Sequence, residues 1–240
     1  MTTRFQDVTQ FPQDIQGIAR SLANIPMGFG AMEEVADVVV RHLYDMLRDS
    51  ETGERQCSLV RLFKTCKRDE LTPQLRAEIP SRADDNFRSL VLLGTCGEHP
   101  DWNSRHSSRG HRLISLESVE VVERIPMISN LVRMLGLNLN DVVSPNPELS
   151  IAGYYPLSVF YVDDAMNSPY IPAKDNFVIP YNIRSVVGFG GLLKFTDMFT
   201  IIMFFKVPVE EEIAAQFKDL AEQVHQLLLP FQEAGRVFKR

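Results

Sequence analysis

The chain has 240 residues, 23% of them charged and 45% hydrophobic, with a formal net charge of -6. These values describe an ordinary globular chain able to bury a sizeable core, and they exclude collagen, disulfide-scaffold and disordered compositions. The acidic balance speaks against a nucleic-acid partner, and with no apolar run near the roughly 20 residues of a membrane span and no signal-peptide core at the start, the expected location is cytoplasmic, with no membrane partner.

In chain order, residues 31–47 place Val35, Val38, Val39, His42, Leu43, Met46 and Leu47 on one face of a predicted helix. After the polar run 48–56, Cys57 to Thr65 alternates as a half-buried strand does. Thr72-Pro73 opens a short helix that Pro80 closes, and Phe87 to Leu93 reads as a second strand, stopped by Gly94 and Gly97. Residues 98–112 are rich in Arg, His, Ser and Gly and read as a surface loop or flap, followed by a short strand at Leu113 to Leu116. From Val119 to Leu135 the residues Val122, Ile125, Ile128, Leu131 and Val132 recur at helical spacing, with Gly136 as the C-cap. Residues 138–153 read as loop.

The last third carries three β-type runs, 155–162, 185–193 and 198–207, the latter two joined as a hairpin through 194–197. Pro208 ends the sheet, and the acidic run Glu210 to Glu212 opens a final helix. Its residues Ile213, Phe217, Leu220, Val224, Leu227 and Phe231 have the spacing of a supercoil seam, and equally that of a helix packed on its own sheet; Pro230 is expected to kink or end it. This order predicts an α+β fold, an antiparallel sheet with helices packed beside it. Its parts are an N-terminal helical segment (1–50), a core (51–208) and a C-terminal helix (209–240), in one structural domain.

The segment Ile183-Arg-Ser-Val-Val-Gly-Phe-Gly190, with Met198-Phe-Thr-Ile-Ile-Met-Phe-Phe205 and the amphipathic stretch 211–229, resembles the last two strands and closing helix of GAF sensor domains. Cys57 to Phe63, following a long helix, is similar to their first strand. Residues 168–181 resemble the stretch before the hairpin in GAF-type input regions of bacterial hybrid histidine kinases and cyclases. The resemblance implies a GAF/PAS-like sheet of about six antiparallel strands, with the N- and C-terminal helices packed together. It also implies a small-molecule ligand pocket on one face, a homodimer, and signal transduction through the terminal helices to a kinase or cyclase output partner. The Asn-Lys-Phe-Asp-Glu signature of cyclic-nucleotide-binding members is absent, no cysteine is placed for bilin attachment, and no cofactor is identified.

The loop from Cys96 to Arg112 gathers three of the five histidines and the only Trp. Candidate ligand-binding residues are Cys96, Trp102, Arg105, Arg109, His111, Arg112 and Tyr181. The three arginines offer forked donors suited to a carboxylate or phosphate; the alternative is a solvated flap whose arginines pair with Glu98, Asp101 and Glu117. Trp102 is expected to anchor the flap. Cys96, His99, His106 and His111 are zinc-ligand types, but their spacing matches no closed four-ligand set, so no metal is expected.

No catalytic residue is assigned. Cys57, Cys66 and Cys96 leave open a thiol enzyme of the free methionine sulfoxide reductase type, itself a GAF fold, with Cys96 attacking and Cys66 resolving. Buried core cysteines are the other reading. Gly188, Gly190 and Gly191 read as bulge or tight-packing positions that let the sheet bend. Tyr154, Tyr155, Tyr161, Tyr170 and Tyr181 suit either a pocket wall or the core.

Overall fold

Six strands make one antiparallel sheet in the computed structural model, which describes residues 7–9, 14–26, 28–79, 87–108, 110–134, 136–143, 157–171, 173–194 and 197–239. The strands are β1 (Cys57–Lys67), β2 (Arg88–Gly97), β3 (Leu113–Ser115), β4 (Leu157–Val162), β5 (Ser185–Lys194) and β6 (Asp197–Phe205), in the order β3-β2-β1-β6-β5-β4. At the centre, Arg61 of β1 stands opposite Thr95 of β2 on one side and Ile202 of β6 on the other. Both halves of the chain are therefore needed to complete the sheet.

Helices α1 (Asp14–Leu22), α2 (Met32–Met46) and α8 (Phe217–Glu233) cover one face, and α1 and α8 touch each other. Val35, Val39 and Leu43 of α2 and Leu220, Val224 and Leu228 of α8 pack there with Val60, Leu62, Phe189 and Ile201 of the sheet. Successive strand residues point to opposite faces. Leu59 and Phe63 accordingly join Phe160, Val186 and Ile202 in a second core, closed by Ile128, Leu131 and Val132 of α5 (Pro126–Met134). Since Val60 and Leu62 face the helices, Arg61 between them is directed to that second face. The remaining helices, α3 (Pro73–Arg76), α4 (Val119–Glu123), α6 (Leu139–Val143) and α7 (Glu211–Ala215), are short. The expected α+β sheet with flanking helices is the observed one.

Several elements differ from the expectation in extent. Strand β2 continues through Gly94 to Gly97, because Gly94 marks where α2 crosses the strand: a side chain there would meet the Ala36 carbonyl oxygen at 2.5 Å. The helix expected over 119–135 is two, α4 and α5, with Pro126 opening the second; proline lacks the N–H needed to continue a helix but fits its first turn. Pro230 lies inside α8, which runs on to Glu233. Of the two readings of the α8 stripe, the structure takes the helix packed on its own sheet. Ile213, Phe217, Leu220, Val224, Leu227 and Phe231 are all buried within the chain, since an amphipathic stripe packs on the nearest apolar layer, here its own sheet. The loop residues 144–153, Tyr154, Tyr155 and the turn residues 195–196 lie outside the described residues.

Candidate functional site

Between β2 and β3 the chain folds back on itself through its own polar groups. Pro100–Asn103 forms a 3-10 turn, after which Asn103 Nδ2 donates to the carbonyls of Gly97 (2.9 Å) and His99 (3.1 Å), and its Oδ1 accepts from Gly97 N (3.2 Å). Ser108 Oγ lies 3.4 Å from the Asp101 carbonyl and 3.3 Å from that of Ser104, donating into the loop. Asx and Ser side chains close such turns readily because they bond backbone groups a few residues away. Across from this loop, the π-helical turn Lys174–Val178 presents Asn176 and Phe177, with Tyr181 following. The Trp102 ring centroid is 4.4 Å from that of Tyr181 and 5.4 Å from that of Phe177, so the tryptophan does anchor the loop to the second core.

These elements border a cavity of about 710 Å³ above β1 that is open to solvent. His99, Asp101, Trp102 and His106 line it from the loop, Asn176 and Tyr181 from the π-helical turn and the residues after it, with the Trp102 and Tyr181 rings in contact. Ser107, Ser108 and His111 complete the rim, and Arg61 is the residue contributed by the sheet.

Arg61 is only 8% exposed. Among the described residues it makes no hydrogen bond or ion pair, and its Nε is buried without a partner. Burial lowers its pKa to about 10, which leaves it cationic at neutral pH. His99 Nδ1 accepts from Asp101 N (3.2 Å), so the neutral ring carries its proton on Nε2.

Of the candidates named from sequence, Trp102, His111 and Tyr181 meet at this cavity. Arg105 and Arg112 are placed elsewhere, and their expected acids are wrong too. Arg105 pairs with Glu33 at the start of α2, its guanidinium 5.3 Å from the centre of the Phe238 ring, and Arg112 pairs with Glu78 at 2.7 Å. Glu98 instead pairs with Lys206 (2.5 Å), and Glu117 accepts from Ser115 Oγ (2.9 Å). Partly buried guanidinium groups take the carboxylate that the fold brings nearest, whatever its distance in sequence. Arg109 lies outside the described residues. Cys96 packs in the helix-side core, its thiol 3.4 Å from Asn103 Oδ1.

Arg61 is not among the sequence candidates, although a signal exists: an arginine flanked by Leu59 and Phe63 on its face of the strand.

All three cysteines are free and buried. Burial pushes the Cys66 thiol up to about 12 and that of Cys96 up to about 11, and Cys57 well above its ordinary value. Cys96 stands opposite Val60 and Cys66 opposite Ser89, so the two lie toward opposite ends of the β1–β2 pair, about 20 Å apart along the strands. That exceeds the reach of a disulfide several-fold, which removes the expected pairing of an attacking Cys96 with a resolving Cys66. Tyr161 and Tyr170 are also away from the cavity. The former donates to the Val209 carbonyl (2.5 Å), and the latter packs edge-on to Phe160. Among the described residues no group of three or more His, Cys, Asp or Glu is arranged to hold a metal ion, and no helix is long and apolar enough to cross a membrane.

No protein-family model matches the chain, and no curated protein matches it. Among solved structures it is similar to a free methionine-R-sulfoxide reductase from Neisseria meningitidis in complex with its substrate, at 10% identity and a TM-score of 0.52 over 98% of this chain and 99% of that one. It is also similar to the GAF domain of a phosphoenolpyruvate-protein phosphotransferase from Coxiella burnetii (13% identity, TM-score 0.49, 93% of this chain and 98% of that one). A third is the phycocyanobilin-bound GAF domain of a cyanobacterial phytochrome (9% identity, TM-score 0.43, 92% and 96%). At such identities the likeness concerns architecture, and with the strand order and the helix layer on one face it gives the chain a GAF-like fold.

Proposed function

We propose that the chain is a sensory module in which a small molecule, held between β1 and the 98–112 loop, biases the position of that loop and through it the C-terminal tail. The observation that carries this reading is that one loop touches both places. His99, His106 and His111 line the cavity, whereas Arg105 reaches the other way, to Glu33 and to the ring of Phe238. The tail is fastened at the same point. Met32 N and Glu33 N donate to the carbonyls of Arg236 (2.8 Å) and Val237 (3.0 Å), and Lys239 N donates to Glu33 Oε1 (2.7 Å).

The first N–H groups of α2, which have no acceptor within the helix, are thus capped by the tail. A ligand that binds one loop position more tightly than another favours the tail arrangement that goes with it, and by the same amount the tail alters ligand affinity. A homodimer and a kinase or cyclase output partner belong to this reading, joined through outer helix faces, because the inner stripe of α8 is internal.

Hydrogen exchange tests it. Protein purified from its host, with any bound small molecule identified by native mass spectrometry, is compared with the same protein after unfolding, dialysis and refolding. The reading expects the amides of Met32 and Glu33 to exchange at different rates in the two samples. Equal rates, or a native protein carrying no small molecule, overturn it.

A further inference from the structure

Two arginines are buried in this sheet, and only one has been given a counter-charge. Arg88 of β2, 1% exposed, pairs with Asp197. Arg61 of β1, 8% exposed, has neither hydrogen bond nor ion pair among the described residues, and its Nε has no acceptor. A buried guanidinium is costly unless paired, and it stays charged across the physiological range, so it cannot relieve the cost by losing its proton. A partner that compensates the charge is an anionic acceptor, and it reaches Arg61 through the cavity that the side chain lines.

The rest of the lining fits that description. His99 and His106 add imidazole N–H donors, and Ser107 adds a hydroxyl. The acid among the lining residues, Asp101, has a side chain 71% exposed beside His99, where it competes little for a buried guanidinium. One wall is aromatic, formed by Trp102 against Tyr181.

We infer that this cavity is a binding site for a small oxyanion, a carboxylate or phosphate group whose two oxygens take the guanidinium fork of Arg61 while the remainder of the ligand lies along the Trp102–Tyr181 wall. The fork geometry selects a planar or tetrahedral oxyanion over a single-atom anion, because two parallel N–H bonds need two acceptors at fixed separation. This inference rests on the sensory reading for its biological use, but the site stands or falls by its own chemistry.

The chain's single tryptophan is in the wall of the site and serves as the reporter. Trp fluorescence is followed as the full chain is titrated with sodium phosphate and, separately, with sodium citrate, against sodium chloride at matched ionic strength. Saturation with phosphate or citrate, absent with chloride, is expected, and whichever binds more tightly tells which head group the site takes. In Arg61→Gln the affinity should fall about tenfold or more, while the melting temperature stays level or rises, since an uncompensated buried charge has been removed. A melting temperature that falls steeply would mean that Arg61 holds the fold together instead, and overturns the inference. So does a response to neither anion, or equal affinity in wild type and Arg61→Gln.

The two proposals fail separately. Saturable, Arg61-dependent binding without any change in exchange at Met32 and Glu33 keeps the oxyanion site and removes the sensory reading. A neutral or cationic molecule found in the native protein, together with a fluorescence change insensitive to phosphate and citrate, does the reverse.

Discussion

Arg88 of β2 and Asp197 of β6 form an ion pair across the end of β1, the strand that separates theirs. Lys64 of β1 lies between them, fully buried, with its Nζ 3.9 Å from Asp197 Oδ2 and 3.3 Å from Glu70 Oε1. Gln232 of α8 donates to the same carboxylate at 2.6 Å, so one aspartate ties three strands to the closing helix.

Removing that aspartate takes one carboxylate away from two buried cations at once, Lys64 keeping Glu70. Asp197→Ala is expected to cost about 3–5 kcal/mol, whereas Lys64→Met, which leaves Asp197 paired with Arg88, should cost about 1 kcal/mol or even stabilise. Urea unfolding of the two variants measures the difference. Equal costs would show that the carboxylate does not carry the network.

Acid should loosen the bonds that tie Asp7 to Ser50 and Gln56 before it unfolds the sheet. Burial alone raises the pKa of Asp7, but hydrogen bonds from the Thr9 hydroxyl, Ser50 N, the Gln56 amide and Thr9 N outweigh it and lower the value from 3.8 to about 2. A carboxylate with a depressed folded pKa contributes stability above its unfolded value and loses it as pH falls through the folded one. About 1–2 kcal/mol should therefore disappear between roughly pH 4 and pH 2, and Asp7→Asn should flatten the stability curve over that interval. An unchanged curve in the variant would assign the acid sensitivity to other groups.

Gly190 faces the backbone of β6 closely enough that any side chain would collide with the Phe199 carbonyl and come within 2.8 Å of Thr200 Cα. The rigid neighbour is main chain, which cannot rotate aside. Gly190→Ala is expected to cost about 2 kcal/mol or more and to lower the melting temperature by about 4–8 °C. A melting temperature within a degree of wild type would show that the hairpin yields there.

The cysteines should be silent in the folded protein. With every thiol buried and its pKa raised, none should react with a disulfide reagent at pH 8, and all three should react once the chain is unfolded. Cys96→Ser should match wild type in a thiol-coupled sulfoxide reduction assay. Turnover that Cys96→Ser abolishes would restore the reductase reading in spite of the distance to Cys66.

The sequence by itself determined the layers. Helices α2 and α8 and the strands β1, β5 and β6 are legible because their apolar period is enforced by the burial it produces, so the local pattern and the tertiary environment carry the same information. It also located the loop that borders the cavity, through its density of His, Arg and Trp. What the tertiary structure alone decided is which charge meets which. Arg105 finds Glu33, Arg112 finds Glu78, Arg88 finds Asp197, and Arg61 finds no acid among the described residues. The seam of α8 was decided in the same way, turned onto its own sheet because that apolar face lies within reach. Pairing of charges and choice of packing partner act through space over a few ångströms, between residues far apart in the chain. No local pattern records which distant side chain will arrive, and Arg61 differs from the other arginines only by the acid that does not.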